Sequence, residues 1–292
     1  MPLTATALVL ISTFMHAGWN LLVGSQQRTS YTLLRIILVI VAVGLGPALI
    51  SEFFGSPFPV QIWGYLIVAG IFQAIYHFGL AQGYKAGQFT VVYPVARALP
   101  ILLVAVIDAG RGHAPSPVAW LGMLLVLAGC VVMPLESLAD FKRSYYWNYA
   151  MIWIIVTALG TVGYTAVDNA AAELIPTGAF VAARYGIFEF ALTALFFWLI
   201  LQGAGHPVSG PGGWHGWKWP AIGAIGFFGA YWLILWSYQI SPQASYVVAL
   251  RQFSIVIGVV IGAFLFREPA PGLRISASLA IVGGISCIAL VG

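Results

Sequence analysis

Arg97 and Arg251 offer the most chemistry in this chain, because each is a cation inside a stretch that otherwise reads as membrane-spanning. They are 154 positions apart. The same shift pairs Tyr84 with Tyr238, Ile101 with Ile255, Val106 with Val260, Pro115 with Pro269, Pro117 with Pro271 and Gly129 with Gly283. The arginines are therefore a repeat-related pair. Facing a cavity, two guanidiniums could hold a carboxylate through forked hydrogen bonds. Each could instead pair with an acid or with helix-end carbonyls and brace the protein, and the residues alone leave both roles open.

Other polar and aromatic side chains recur at helical spacing. His16 and Asn20 stand four apart with Trp19 beside them, as do Tyr93 and Arg97; Thr157, Thr161, Tyr164 and Asp168 form one stripe; Tyr76 and His77 lie deep inside an apolar run. Against lipid each buried polar group would cost several kcal/mol, so these residues are expected to line an internal cavity. Tyr231, Tyr246 and Gln252 extend the same character, while Trp236 and Tyr238, near the end of a run, suit an interfacial aromatic belt. Glu189 is the most deeply placed acid and could carry a proton, bind an ammonium group or neutralise an arginine. Arg184 on the same run is a poor partner, because five residues rotate the two apart by about 140°. Asp168, closer to the end of its run, is expected to be solvated.

The elements that must hold these groups follow from composition. Hydrophobic residues make up 61% of the 292-residue chain and charged residues 7%, against roughly 25% charged in soluble domains. Mean hydropathy is +0.96. Apolar runs of about 20 residues without strict alternation predict membrane-spanning helices rather than barrel strands. Ten are predicted, at 3–23, 31–50, 60–83, 88–108, 117–134, 148–168, 178–201, 219–240, 244–265 and 273–291. The first lacks a basic leader and reads as a retained helix. Pro94 and Pro100 remove backbone donors from the fourth run and are expected to interrupt it and free carbonyls toward a cavity, unless they reflect only the greater frequency of proline in membrane helices. The ninth, with only Pro242 ahead of it, is expected to be less broken. The connection 206–220 reads as a surface loop with Trp214, Trp217 and Trp219 at headgroup level.

Ten spans and one duplication give two five-helix repeats, 1–135 and 148–292, joined by a charged linker at 136–147. An odd number of spans per repeat inverts the second copy relative to the first, the geometry of alternating access. Gly18-Trp19 and Gly163-Tyr164, and Arg35 and Arg184, are weaker echoes of the same duplication. Eight Lys or Arg residues (Arg28, Arg35, Lys85, Lys142, Arg143, Lys218, Arg267 and Arg274) fall at connections after odd-numbered spans, and Arg111 alone on the other side. This bias predicts both termini on the non-cytoplasmic side. The fold class is thus an all-α integral membrane protein of ten transmembrane helices in two inverted five-helix repeats.

Several chemistries find no support. The five histidines show no metal-ligand spacing, and there is no P-loop, nucleophile elbow or dinucleotide turn, so no enzyme activity, metal or cofactor is expected. Cys130 and Cys287 lie in apolar runs and read as small hydrophobes. The pI of about 9.1 rests on a few charges at run ends and predicts no nucleic-acid partner.

The Arg in each fourth span, His16-Ala-Gly-Trp-Asn20 in the first, and Phe266-Arg-Glu-Pro269 before the last resemble the drug/metabolite transporter superfamily. More narrowly the chain is similar to EamA-type exporters and to YddG-like bacterial aromatic amino-acid exporters. Glu268 has no counterpart in the first half, where Ala114 stands. The resemblance implies a multi-pass inner-membrane secondary transporter exporting neutral and aromatic amino acids and related metabolites, with the lipid bilayer as its surroundings and no need for more than a monomer. A multidrug or nucleotide-sugar carrier of the same fold is the alternative. The substrate-binding residues expected on this reading are His16, Trp19, Asn20, Tyr76, His77, Tyr93, Arg97, Tyr164, Tyr231, Tyr246, Arg251 and Gln252, with Glu189 as the proton-coupling candidate.

Overall fold

The computed structural model describes residues 1–24, 29–86, 89–133, 135, 149–206, 214–257 and 272–291. Among them all regular structure is helical. In chain order the helices are α1 (Leu3–Gly24), α2 (Thr29–Phe54), α3 (Val60–Ala86), α4 (Phe89–Gly110), α5 (Pro117–Val132), α6 (Tyr149–Ala172), α7 (Ala179–Gly203), α8 (Lys218–Tyr238), α9 (Ala244–Leu250) and α10 (Gly272–Val291). A turn at Arg251 and Gln252 follows α9 and leads into a helical segment at 253–257. The linker 136–147, the motif 266–269 and most of the span expected beyond 257 lie outside the described residues.

Six helices, over 30–54, 60–86, 149–172, 179–203, 218–238 and 272–290, are long and apolar enough to cross a membrane among the described residues. The chain therefore fits a multi-pass, all-α membrane protein. Its burial is the reverse of a soluble domain: large apolar side chains such as Phe14, Val43, Phe53, Ile152 and Ile225 are exposed, whereas His16, Gln73, Asp168, Glu189 and Arg251 are buried. Lipid accepts the apolar exterior, but the buried polar groups need partners supplied by other helices.

Helix pairing is close and antiparallel. Positions 79, 76 and 72 of α3 meet 157, 160 and 163 of α6, while 15 and 22 of α1 meet 229 and 223 of α8. In the same way Gly122 and Gly129 of α5 face Gly284 and Ile281 of α10, and Ser51 of α2 faces Arg184 of α7. Small residues set these distances. A Cβ on Gly122 would stand 2.7 Å from the Gly284 carbonyl oxygen, and one on Gly160 would stand 2.7 Å from the Tyr76 nitrogen, so side chains there would force the backbones apart. Ser116 caps α5, accepting from the Ala119 amide at 3.1 Å ahead of Pro117, whose missing N–H is harmless in a first turn.

Three expectations are corrected. Helix α4 runs through Pro94 and Pro100 without a break, and the interruption falls at Arg251 in the second half. Asp168 is 1% exposed rather than solvated, because α7 and α8 cover it with Tyr185 and Tyr231. Tyr238 is buried at 2% exposure and stands inside the bundle rather than in a belt.

Candidate substrate cavity

Helices α1, α3, α4, α6, α8 and α9 surround an internal cavity of two adjoining lobes that share Tyr76, Tyr164 and Arg251. One lobe is lined by His16, Trp19, Gln73, His77, Phe227 and Tyr231 in addition. The other adds Leu80, Ala96, Arg97, Thr157, Thr161, Val248 and Gln252. Each lobe has a cavity volume of about 20 Å³, room for about one water. An amino acid fits only if lining side chains move.

The cationic wall is built where α4 meets the turn after α9. Arg97 Nε donates to Gln252 Oε1 at 3.0 Å and its Nη2 to the Arg251 carbonyl at 3.2 Å, while Gln252 Nε2 returns a bond to the Arg97 carbonyl at 3.2 Å. The repeat-related arginines are therefore adjacent in space. Arg251 bonds to the Tyr164 hydroxyl, and its Nε has no partner among the described residues. No carboxylate lies within ion-pairing distance of Arg251 among the described residues.

His16 makes this wall short of acceptors. Trp19 Nε1 donates to its Nδ1 at 3.1 Å, and Arg97 Nη1 is aimed at its Nε2. A neutral imidazole has one acceptor nitrogen and an imidazolium none, so His16 accepts from at most one of the two. The Arg251 Nε is the buried donor on this wall that has no partner among the described residues, and an anion would satisfy it.

The opposite wall carries acceptors. His77 Nδ1 lies 2.7 Å from the Gln73 carbonyl, which can only accept, so Nδ1 carries the proton and Nε2 is an acceptor with no partner among the described residues. Gln73 Nε2 donates to Glu189 Oε1 at 2.7 Å. Tyr231 Oη contacts both Asp168 Oδ2 and Glu189 Oε1, the latter at 2.9 Å. Between the two walls stand rings: His77 stacks on Phe227 at 5.5 Å, and Tyr164 meets Tyr76 edge-on at 5.6 Å and Tyr231 at 6.0 Å.

Of the residues expected from sequence to line a cavity, His16, Trp19, Tyr76, His77, Arg97, Thr157, Thr161, Tyr164, Tyr231, Arg251 and Gln252 do so. Asn20 does not. It is buried beneath the site, donating to the His16 carbonyl at 2.8 Å. Tyr246 lies away from the cavity and accepts the Ser116 amide at 3.1 Å. The Tyr93 side chain lies outside the described residues. Glu189 sits one side chain behind the wall, reached through Gln73 and Tyr231. Gln73 and Phe227 were missed; the signal for Gln73 was an amide four residues before His77 in an apolar run, and Phe227 carried none among so many phenylalanines. Among the described residues no group of three His, Cys, Asp or Glu side chains could hold a metal ion.

Neither a protein-family model nor a curated protein matches this chain. A solved structure described only as "Crystal structure of protein" is similar at a TM-score of 0.70 and 20% identity, covering 99% of both chains. At that identity the likeness speaks for the fold alone, and it extends over the whole chain.

Proposed function

We propose that the protein is a secondary transporter of the inner membrane that exports neutral and aromatic amino acids by alternating access, rather than an enzyme. One observation carries this reading: an aromatic-walled cavity is lined by the Arg97 and Arg251 guanidiniums, with the buried Arg251 Nε lacking a partner among the described residues, and also by His77, whose Nε2 lacks one too. A zwitterion has its carboxylate and ammonium group arranged for such a site. Tyr76, Tyr164 and Phe227 would then stack on the side chain.

The inverted repeat belongs to the same proposal. Mapping α1–α5 onto α6–α10 turns the α3–α6 pair into α8–α1, and turns α5–α10 and α2–α7 into themselves. The equivalent helices α5 and α10 run antiparallel, as do α2 and α7, which supports two halves of opposite orientation. Ten spans then complete the bundle. The end that holds Arg111 is closed by the bonds of Asp108, Arg111 and Gly178 to neighbouring helices. By the Lys/Arg bias this is the outer end, with both termini on that side.

The test is uptake of a radiolabelled amino-acid panel into liposomes holding the purified protein, with Arg97→Ala and Arg251→Ala alongside. Saturable uptake of Thr, Phe or Met that falls in both variants is expected. No uptake from folded, inserted protein would move the assignment to a multidrug or nucleotide-sugar carrier of this fold.

A further inference from the structure

Two acids and one phenol form a buried unit next to the cavity. Glu189 is 0% exposed and Asp168 1%. The Tyr231 hydroxyl lies within bonding distance of Asp168 Oδ2 and of Glu189 Oε1, and Tyr185 donates separately to Asp168 Oδ1 at 3.1 Å. A phenol has one proton to donate. Two close oxygen–oxygen contacts from one hydroxyl therefore need a second hydrogen, and only a carboxylic acid in the unit can supply it. A second observation agrees: Glu189 Oε2 is buried with no partner among the described residues, an untenable place for an ionised oxygen and a tolerable one for a neutral carboxyl.

The charged surroundings leave this proton in place. Arg251, after α9, is the cation that acts on Asp168, whereas the side-chain partners of Glu189 are the neutral Tyr231 and Gln73. Arg184, on the same helix as Glu189, is turned away and paired with Glu52 of α2 at 3.5 Å. From α3, His77 is tied to the Gln73 carbonyl and Tyr65 faces Tyr185; from α6, Tyr164 faces Tyr231. None of these brings a second cation against Glu189.

Position gives the unit a use. Tyr231 and Gln73 belong to the cavity wall, and Asp168 lies behind it, beside Ala172, Tyr185 and Gln239. We propose that Asp168 and Glu189 share one exchangeable proton through the Tyr231 hydroxyl and serve as the coupling-proton site of the carrier, giving up that proton when a cargo ammonium group binds at Gln73 and Tyr231. This rests on the transport reading above. On loading, a proton from water forms an O–H bond to a carboxylate oxygen; on cargo binding that bond breaks, the proton returns to water, and the ammonium group replaces its charge. No electrons move.

Two measurements on the purified full-length protein test it. Infrared difference spectra should show a carboxylic-acid C=O band at neutral pH that is lost in Glu189→Gln or Asp168→Asn and shifted in Tyr231→Phe. Should either acid variant not elute as folded protein, the other and Tyr231→Phe still decide. Absence of the band, or a band that survives both acid substitutions, overturns the shared proton. In liposomes loaded with a pH-sensitive dye, an imposed gradient of L-phenylalanine should drive a proton signal that Glu189→Gln abolishes. Phenylalanine movement with no proton signal overturns the coupling. If the infrared band is present but no amino acid is carried, the shared proton stands and the exchange for cargo ammonium, together with the amino-acid reading, falls.

Discussion

Arg251 and Arg97 differ in what surrounds them, and that difference predicts how each variant behaves. Arg251 has a buried Nε without a partner among the described residues, while Arg97 also holds α4 to the turn after α9 through Gln252 and the Arg251 carbonyl. Hydrogen bonds to charged groups are worth about 1.5–3 kcal/mol. Arg251→Ala is therefore expected to weaken binding of a carboxylate-bearing cargo by about 10- to 100-fold. It should also erase the preference for an amino acid over its amide, read by competition against labelled phenylalanine. Arg97→Ala is expected to lose thermal stability as well, because it removes a bracket between two helices. Equal cargo loss for the acid and its amide in Arg251→Ala would show that the guanidinium does not read the carboxylate. Phe227→Ala should cost an aromatic cargo more than threonine, by about 0.5–1.5 kcal/mol beyond lost area, measured as the ratio of their half-saturation values.

At the scale of the helices, the pairs stand or fall on glycine. Gly122→Ala places a methyl group against the Gly284 carbonyl on α10, and overpacking of this kind typically costs about 1–3 kcal/mol. Gly18, on the exposed side of α1, has nothing within 4 Å of a built Cβ, so Gly18→Ala should be neutral or stabilise by up to about 1 kcal/mol, the helix propensity difference. Melting temperatures in detergent check both. A lower melting temperature for Gly18→Ala than for Gly122→Ala would contradict the α5–α10 contact. The α6 stripe illustrates how helix pairing decides roles that spacing leaves open. Thr157, Thr161, Tyr164 and Asp168 share one face, yet the first three line the cavity and Asp168 is passed over to Tyr185 and Tyr231 because α7 and α8 close over that end.

For the molecule as a whole, alternating access requires the bonds at the Arg111 end to open, and they differ in strength. Arg111 reaches Glu173 at 2.7 Å, but these side chains are 24% and 41% exposed, and such pairs contribute about 0.2–1 kcal/mol. Asp108 is 1% exposed and accepts from both the amide and the hydroxyl of Ser245, at 2.8 and 2.6 Å. The buried bonds dominate. Asp108→Asn is therefore expected to open the Arg111 end more than Glu173→Gln, which should shift the balance by about fivefold at most. Labelling of a cysteine placed at Thr161 with a membrane-impermeant maleimide, in a background lacking Cys130 and Cys287, reads the opening. A larger effect of Glu173→Gln would mean that the surface pair, not the buried latch, controls that end.

Sequence by itself determined that this is a helical membrane protein with buried polar side chains, since hydropathy and span length follow from the solvent, and lipid leaves a polar group nowhere to go but inward. It also placed eleven of the cavity residues, Thr157 and Thr161 among them, because helical spacing and depth in an apolar run are local properties. What it could not decide depends on contacts between helices far apart in the chain. The union of Arg97 with Arg251, the competition of Trp19 and Arg97 for His16, and the single hydroxyl between Asp168 and Glu189 exist only once α1, α4, α6, α7, α8 and α9 are packed together. The irregular turn at Arg251 is of the same kind, for prolines marked α4 and yet that helix stays whole, while its second-half counterpart tightens to i→i+3 bonding where Arg97 meets it.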